Sequence, residues 1–589
     1  MLRRNRGADK VLGATIPISR TIQVGARWIN NGCFPGRGGA SQKPDARPFV
    51  YPGVGGNRFP TCFCKLLKDS SDAAQSRPKW SAWAGLCAVG IFLVLAARFW
   101  DPVFGFTKFL QFDEDCDRTK IAAFQDIPVY LFKGNEGYDG MFYAQIACSP
   151  WLGAPDLVRA VDNLPWRARR ILLPAAAWVI GFGRPPSIVR TYASLNLLFW
   201  LILAATLWRL LKVRDLRGWC AWAGVLFSAG ALGSVRFALS DMPAVALLAA
   251  GMLAAESGRP GWAAGGLAAA GLTRETALLA LPGFWQTGRS NIPRLMLALV
   301  PFAAWMLYIR WRIGSTAQVM DSFAWPGSGL VEKIRDGVAA AIHPWSVLDV
   351  WISLLSTIGI CVQALYLAIK PELRNPWWRV GAGYLLLMFF ISHAVWEGYP
   401  GAALRVLLPL ALAFNILAAR RKAAMVWLLA GNLSVFSGAV AMARTSGNTM
   451  ELSSGGGEGV AYAVRARNGW YGCEQNGRHR WDWSPGKAIL TVETWPRVSA
   501  ASRINLRLRA LGPRNVTIRQ DGRDLWSGEV TAKQLSVSIQ ATLSMGRAEL
   551  EFSSPGAPQR PPSSSDPREL AFAVYDPTVS ILRSPAFSQ

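Results

Sequence analysis

Three short segments carry ionisable residues whose types and spacing point to chemistry, and the first is GYDGMFYAQIA, residues 137–147. It sets Asp139 between glycines and aromatic side chains. A carboxylate in a close-fitting pocket, with a partly raised pKa, can take a proton from a hydroxyl group. In the alternative, structural interpretation, Asp139 only caps a helix that begins near Phe142. Residue type alone leaves both interpretations open.

The second segment is LTRET, residues 272–276, in which Arg274 and Glu275 interrupt two short apolar stretches. Ionisable residues at membrane depth are expensive, and they are usually functional and paired or turned towards a polar cavity. The alternative is a purely structural ion pair between these two neighbours. The pattern favours neither interpretation.

The third segment, residues 393–409, places Arg405 about one turn inside the start of an apolar helix. A guanidinium there can hold a phosphate through two parallel hydrogen bonds, whereas the alternative is a side chain that extends to the interface. His393 is expected to be structural, and Asp241 in LSDMP to cap the following helix. Tyr143, Glu275, His393 and Asp241 therefore stand only as candidate cavity-lining residues.

Several catalytic motifs are absent from the sequence. It holds no GxxxxGK[ST] phosphate loop, no GxSxG nucleophile turn and no HExxH zinc motif. Its three histidines are too few for a histidine-rich metal centre. The sequence thus predicts no cofactor, although the acidic residues of the first outer loop, near 113–117, leave open the binding of a divalent cation.

The composition explains which elements must position these residues. Hydrophobic residues make up 51% of the 589-residue chain and charged residues only 17%, with a mean hydropathy of +0.21. The charged share is well below the roughly 25% of soluble domains, so we expect a lipid-embedded protein. The formal net charge is +26, but the basic residues mostly occupy short loops between apolar runs. That is the positive-inside pattern, and it excludes nucleic acid as a partner.

The same loops predict the topology. Residues 1–78 are interpreted as a disordered basic extension, with a misassigned start codon as the alternative. Residues 79–445 are predicted to form a polytopic α-helical membrane domain of about eleven spans, with a cytoplasmic N-terminus in a cell (inner) membrane. Residues 101–165 form an outer loop, and 167–183 an amphipathic helix on the outer surface. Placing 167–183 across the membrane would invert every later loop.

Beyond the membrane domain, residues 450–589 alternate between apolar and polar side chains in short runs. The pattern predicts a C-terminal β-sandwich outside the cytoplasm. Cys116 and Cys148 fall in the outer loop, so a disulfide that closes about 30 residues is a further hypothesis.

The ordered motifs resemble the GT-C superfamily of membrane glycosyltransferases. Relatives of protein O-mannosyltransferases and aminoarabinose transferases carry DExRYAxIA after the first span, and DGMFYAQIA stands there in this chain. Asp139, Tyr143 and Ile146–Ala147 match, while Gly140 replaces the second acid and Phe142 the arginine. A group of bacterial cell-surface glycopolymer glycosyltransferases shows a similar order of YDGxFY, RRILLP and RE, found here at 138–143, 169–174 and 274–275.

The resemblance implies a GT-C-like fold and an inverting transfer of a hexose or pentose from a polyprenyl-phosphate donor. The acceptor would be a glycan or protein outside the cytoplasm, in cell-envelope glycan biosynthesis. Asp139 would deprotonate the acceptor, and Arg405, with Arg274, would bind the donor phosphate. One rival is a lipid-linked glycan flippase, against which stand the lack of repeated halves and the clustering of acids in one loop. A second is a non-catalytic scaffold that presents the β-module.

Overall fold

A computed structural model of the chain shows a helical domain followed by a β-rich module, which together form one unit over residues 76–589. The structure describes residues 79–134, 137–285, 291–314, 322–342, 347–398, 400–444, 448–457, 459–477, 479–561 and 566–582. The predicted extension 1–78 lies outside these residues.

The helical domain is built from long apolar helices joined by short ones. Its core is a single cluster of buried aliphatic, alanine and aromatic side chains. Three 3-10 helices interrupt the α-helices at Thr107–Phe109, Ala122–Phe124 and Glu275–Ala280. The α-helices are α1 (Lys79–Ala97), α2 (Glu114–Thr119), α3 (Asp139–Cys148), α4 (Leu157–Ala160), α5 (Leu164–Arg167), α6 (Leu172–Ile180), α7 (Pro185–Leu211), α8 (Leu216–Leu226), α9 (Ala229–Arg236), α10 (Asp241–Glu256), α11 (Pro260–Thr273), α12 (Leu281–Phe284), α13 (Asn291–Ile313), α14 (Ser328–Ile342), α15 (Leu348–Ile369), α16 (Pro376–Phe390), α17 (His393–Trp396), α18 (Ala403–Val406), α19 (Leu408–Arg420), α20 (Met425–Gly431) and α21 (Val435–Ala443).

Within the described residues, five helical stretches are long and apolar enough to cross a membrane, and the bent pair α20–α21 raises the number to six. The length and apolar composition of these helices indicate a membrane protein. The other apolar helices, α10, α11, α16 and α19, have 13 to 16 residues, fewer than the roughly 20 that a bilayer requires. The eleven spans therefore stay a prediction.

The segment predicted as a surface helix is short in the structure. Helix α6 has nine residues, about 14 Å at the usual rise per residue, so it cannot cross a bilayer as a single helix. Its end leaves Val179, Ile180 and Phe182 exposed, Phe182 by 87%. An exposed apolar helix end of this kind suits a helix that lies on the membrane surface.

The β-module is sandwich-like. One antiparallel sheet has six strands in the order β10-β9-β12-β7-β4-β3, and a second has five in the order β11-β8-β13-β6-β5. Alternate residues of β8 are buried, and they meet residues of the other sheet in one apolar core. The strands are β3 (Glu451–Gly457), β4 (Val460–Ala466), β5 (Glu474–Asn476), β6 (His479–Ser484), β7 (Lys487–Trp495), β8 (Ala500–Ala510), β9 (Arg514–Gln520), β10 (Arg523–Val530), β11 (Leu535–Leu543), β12 (Arg547–Ser553) and β13 (Phe572–Ile581).

The module docks on the loop that the sequence predicts to be outside, at a short parallel pair of strands, β1 (Phe112–Asp113) and β2 (Leu131–Phe132). The buried guanidinium of Arg465 donates to Glu451 at 2.8 Å, to Glu493 at 2.9 Å and to the carbonyl oxygen of Val129 at 2.6 Å. Glu451 in turn accepts from the amide of Leu131 at 3.1 Å. Loop and module therefore lie on the same side of the helical domain, and their extracytoplasmic placement stays a prediction.

The disulfide hypothesis fails in the structure. Cys148, the last residue of α3, is a free cysteine. The side chain of Cys116 lies outside the described residues. The loop is instead held by its hydrogen bonds and ion pairs with the module.

Replacing Arg465 by Met should destabilise the protein by about 3–5 kcal/mol, because two buried carboxylates would lose their shared cation. The measurement is thermal unfolding of the detergent-solubilised protein, together with proteolysis near residue 448. Arg519→Met removes an exposed pair with Asp524 on the same module and should leave the unfolding unchanged. Equal effects of the two variants would contradict a docking role for Arg465.

Candidate functional site

Asp139 is the first residue of helix α3, and the residue before it, Tyr138, is extended. The helix thus begins three residues earlier than predicted, and Asp139 lies inside it rather than in the capping position. Its carboxylate Oδ2 is 2.7 Å from Nη1 of Arg167. Arg167 also binds Asp162 through Nε at 3.1 Å and Nη2 at 2.9 Å. One guanidinium therefore serves two carboxylates.

The ion pair reverses the expected titration of Asp139. Burial alone would raise the pKa of this carboxyl, but the charge and hydrogen bond of Arg167, helped by Arg405 and Arg170, hold the pKa below its usual value. The prediction of a partly raised pKa is therefore wrong. Asp139 is an ionised carboxylate whose side chain is 28% exposed.

The structure explains both departures from the DExRYAxIA pattern. A Cβ atom on Gly140 would lie 2.5 Å from the carbonyl oxygen of Phe237, so no acidic side chain fits there without a backbone shift. Phe142, in the place of the arginine, has its ring centroid 5.2 Å from the guanidinium of Arg167. The positive charge beside Asp139 is supplied from another segment.

A second ion pair joins the segment before α6 to the LTRET segment. Arg170 binds Glu275 through two hydrogen bonds, Nε to Oε2 at 3.1 Å and Nη2 to Oε1 at 2.9 Å. Its remaining nitrogen Nη1 donates to the hydroxyl of Tyr143 at 2.7 Å. Tyr143 and Glu275, both candidate residues from the sequence, thus meet through an arginine that the sequence reasoning did not single out.

Arg274 and Glu275 do not pair with each other, so the structural alternative for this segment is wrong. Arg274 has extended backbone angles, φ −155° and ψ 122°, and consecutive side chains diverge in extended backbone. Nη1 of Arg274 instead lies 2.6 Å from Oδ1 of Asp241, without the angular geometry of a hydrogen bond. Asp241 is the first residue of α10 and is 2% exposed. It is a buried counter-ion rather than a cap.

Arg405 is the second arginine near Asp241, and it approaches the carboxylate oxygen that Arg274 does not. Its Nη1 lies 3.8 Å from Oδ2 of Asp241, and its Nη2 donates to the hydroxyl of Tyr138 at 2.5 Å. The ring of Tyr138 stacks on Phe237 at 4.5 Å between centroids. With 11% of its side chain exposed and both ends of the guanidinium engaged, Arg405 does not extend to the interface as the alternative interpretation supposed.

Close helix packing places Arg405. It lies in the short helix α18, which approaches α9 so closely that a Cβ on Gly230 would be 2.4 Å from the carbonyl oxygen of Leu404. Glycine at 230 is therefore required by this approach. The guanidinium then reaches the wall of a cavity between α9, α15, α18 and α21.

This cavity has a volume of about 710 Å³ and is walled by polar, charged and apolar residues. Its charged side chains are two carboxylates and three arginines, of which Arg444 is paired with Asp349 at 2.6 Å. The cavity is large enough for a small-molecule ligand, which typically needs 300–1,000 Å³. Residues that define it include Gly137, Tyr138, Arg236, Asp349, Arg405 and Arg444.

The other candidates lie at different distances from this cavity. Asp139 is not one of its lining residues, although Gly137 and Tyr138 directly before it are. Arg274 and Asp241 line a crevice of about 10 Å³ that also touches Arg405. Tyr143 and Glu275 both bind Arg170, and they line neither the cavity nor the crevice.

His393 does not line this cavity. It begins the short helix α17, with its ring nitrogens 3.5 Å from Glu332 and 3.8 Å from Asp336 on α14. The neighbouring residues Ala394 and Glu397 line the cavity instead. Among the described residues no group of three or more His, Cys, Asp or Glu side chains could hold a metal ion.

The sequence reasoning assigned no role to Arg167, Arg170 or Tyr138, although Tyr138 and Arg170 lie within the motifs at 138–143 and 169–174. A signal for the two arginines was present, because residues 167–170 are basic and yet belong to the side predicted to be outside. Such a violation of the positive-inside rule indicates that the cations have specific partners. Tyr138 carried no such signal.

Comparisons with known proteins give little further guidance. No family model and no curated protein matches the chain. Among solved structures, one titled "CBM4 structure and function" matches with 15% identity over 21% of this chain and 87% of that chain, at a TM-score of 0.14. Another, of TmCBM61 in complex with β-1,4-galactotriose, matches with 10% identity over 20% of this chain and 88% of that chain, also at 0.14. At such scores neither carries an argument.

The Arg170–Glu275 pair should be strongly coupled. In a double-mutant cycle with both residues changed to Met, we expect an interaction of about 2 kcal/mol in unfolding of the solubilised protein, because either single change leaves a buried charge. The matched control is the more exposed pair Arg420–Glu256, at 2.6 Å, which should contribute less than about 1 kcal/mol. Equal coupling energies would show that burial does not strengthen the first pair.

Proposed function

We propose that the chain is an integral membrane glycosyltransferase that moves a sugar from a polyprenyl-phosphate donor to an acceptor outside the cytoplasm, in cell-surface glycan formation. The observation that carries the proposal is that Tyr138 and Arg405 line one cavity, that Asp139 directly follows Tyr138, and that Asp241 and Arg274 line a crevice that also touches Arg405. These residues come from segments up to about 270 positions apart, and they include the three to which the family resemblance assigns a role in the transfer, Asp139, Arg274 and Arg405.

Arg405 is suited to bind the donor phosphate. It lines the 710 Å³ cavity, and its single close carboxylate, Asp241, is shared with Arg274. Two guanidiniums thus face one carboxylate, which leaves a net positive charge at the cavity wall. In a low-dielectric site such a charge stabilises negative charge that grows on a leaving phosphate.

Asp139 is suited to accept the proton of the acceptor hydroxyl. The carboxylate is ionised, and its contact with Arg167 uses Oδ2, which leaves Oδ1 to accept from an incoming hydroxyl. Arg167 retains two hydrogen bonds to Asp162, so it can give up Asp139 without becoming an unpaired buried cation.

The transfer then proceeds in one displacement. The acceptor oxygen attacks the anomeric carbon while its proton passes to Asp139, and the bond between that carbon and the phosphate oxygen breaks. The electron pair stays on the departing lipid phosphate beside Arg405. The configuration at the anomeric carbon inverts.

Replacing Asp139 by Asn should lower turnover about 10²-fold or more, because a general base contributes that much. The assay follows a labelled polyprenyl-phosphate sugar with the protein reconstituted in vesicles. Asp162→Asn is the matched control: it removes the other carboxylate of Arg167 but spares the base, so it should retain most activity. Similar losses in both variants would assign the effect to Arg167 rather than to Asp139. Movement of the intact donor without cleavage would instead identify a flippase.

Arg405→Lys keeps the charge but loses the planar fork that matches a phosphate. We therefore expect a KM for the donor raised about tenfold or more, with a smaller change in the KM for the acceptor. The comparison is Arg444→Lys, which changes another arginine that lines the same cavity but whose guanidinium is bound to Asp349. An unchanged donor KM in Arg405→Lys would contradict the phosphate role.

The pH dependence tests Asp139 separately. Since Arg167 lowers the pKa of Asp139, the base stays ionised below the usual Asp value of about 4, and turnover should not fall between pH 7 and 5. Arg167→Gln removes the largest of the charges that offset the burial of Asp139, so the pKa of Asp139 rises. Turnover of this variant should fall as the pH is lowered from 7 to 5. A parallel profile in both proteins would contradict the assignment.

A further inference from the structure

A second cavity, of about 460 Å³, lies where the end of helix α1, the loop after it and the β-module meet. Four cationic side chains line it, and no carboxylate does. Two belong to the helical domain, one to the loop and one to strand β6 of the module. They are Arg98, Arg236, Lys108 and Arg480.

Two carboxylates near this cavity, those of Asp101 and Glu451, have partners within the protein. Asp101 accepts from the amides of Val103 and Phe104 at 2.9 and 3.2 Å, and Glu451 is bound to Arg465. Within the described residues, neither the guanidinium of Arg98 nor that of Arg480 makes a hydrogen bond or an ion pair. The cavity is therefore lined by four cations and no carboxylate, and two of these cations, Arg98 and Arg480, have no partner among the described residues.

The titration of Lys108 agrees with that geometry. Burial is the main cause that lowers its pKa. The negative charges of Asp101 and Glu451 oppose the shift, while the positive charges of Arg480 and Arg236 add to it. An anion placed among the three side chains would remove their mutual repulsion.

A neighbouring cavity shows that such an imbalance is not general in this protein. It has a similar volume, about 450 Å³, and also lies between the loop and the module. Its cations are paired with its acids, as in Lys120–Asp117 at 2.7 Å and Arg547–Glu549 at 2.7 Å. Of these two cavities, only the one beside α1 is lined by cations and by no carboxylate.

The position of the cationic cavity indicates the kind of anion. Arg98 directly follows Ala97, the last residue of a helix that can span the membrane, so the cavity opens at the membrane boundary. Phe99 and Tyr130 add apolar wall beside the charges. Basic pockets at such a depth suit a phosphate group that carries an apolar tail.

We propose that this cavity, which Arg236 also lines, binds the phosphate group of an anionic membrane lipid through Arg98, Lys108 and Arg480. The site is separate from the one proposed for the glycosyl donor, since the two cavities share only Arg236, and it does not depend on the chain being a glycosyltransferase. Because Arg480 belongs to the module and Arg98 to the end of α1, a bound phosphate would join the two parts.

The experiment compares the purified full-length protein in nanodiscs of phosphatidylcholine with and without phosphatidylglycerol. We expect phosphatidylglycerol to raise the unfolding temperature of the protein, and the double variant Arg98→Gln, Arg480→Gln to weaken the lipid response about tenfold or more. The matched control is Arg209→Gln, Arg503→Gln. Arg209 lies in the last turn of α7 and Arg503 on strand β8 of the module, and neither lines the cavity.

The control separates a site from general attraction, because both double variants lose two positive charges. An equal lipid response in the two would overturn the proposal, as would a full response in the cavity variant. A second arm adds inorganic phosphate. Competition with the lipid would show that the cavity recognises the phosphate group itself, whereas stabilisation by inorganic phosphate alone, with no lipid response, would contradict a lipid ligand.

Discussion

Burying charge in a low-dielectric interior costs several kcal/mol per ion unless an opposite charge stands beside it, and that cost organises the helical domain. Arg167, Arg170 and Arg274 each lie against a carboxylate from a distant segment: Asp139, Glu275 and Asp241. The pairs connect the start of α3, the segment before α6, the break after α11 and the start of α10. Because each pair needs both partners, the packing of these elements is mutually dependent.

The sequence could identify where charges would gather but not how they would pair. Asp139, Arg274 and Arg405 each interrupt an apolar or aromatic context, and that contrast is visible without a structure. Their partners depend on which helices become neighbours, which no local pattern encodes. Arg274 and Glu275 show the difficulty best, since adjacent residues with opposite charge look like a pair, yet the extended backbone at Arg274 directs them to Asp241 and Arg170.

The elements themselves were predicted unevenly, again for physical reasons. Strand alternation is strict where one face is buried, so the β-module from 450 onwards could be anticipated as a sandwich, and its sheets run from Glu451 to Ile581. Hydropathy also marked α1, α7 and α15, which have 19 to 27 residues. It cannot by itself separate a short span from a buried apolar helix, and α10, with most of its residues buried, is of that ambiguous kind.

The close approach of Gly140 to the carbonyl oxygen of Phe237 has a consequence for other sequences. A glycine at this position and an acid at this position require two different spacings between α3 and the turn after α9. In an alignment of related chains the residue at 140 should therefore covary with the residues around 237, and the pair would sort sequences into two backbone classes before any activity is known. In a chain that restored the acid at 140 without changing that turn, the new side chain would collide with the carbonyl oxygen at 237, and α3 would have to move away from the turn.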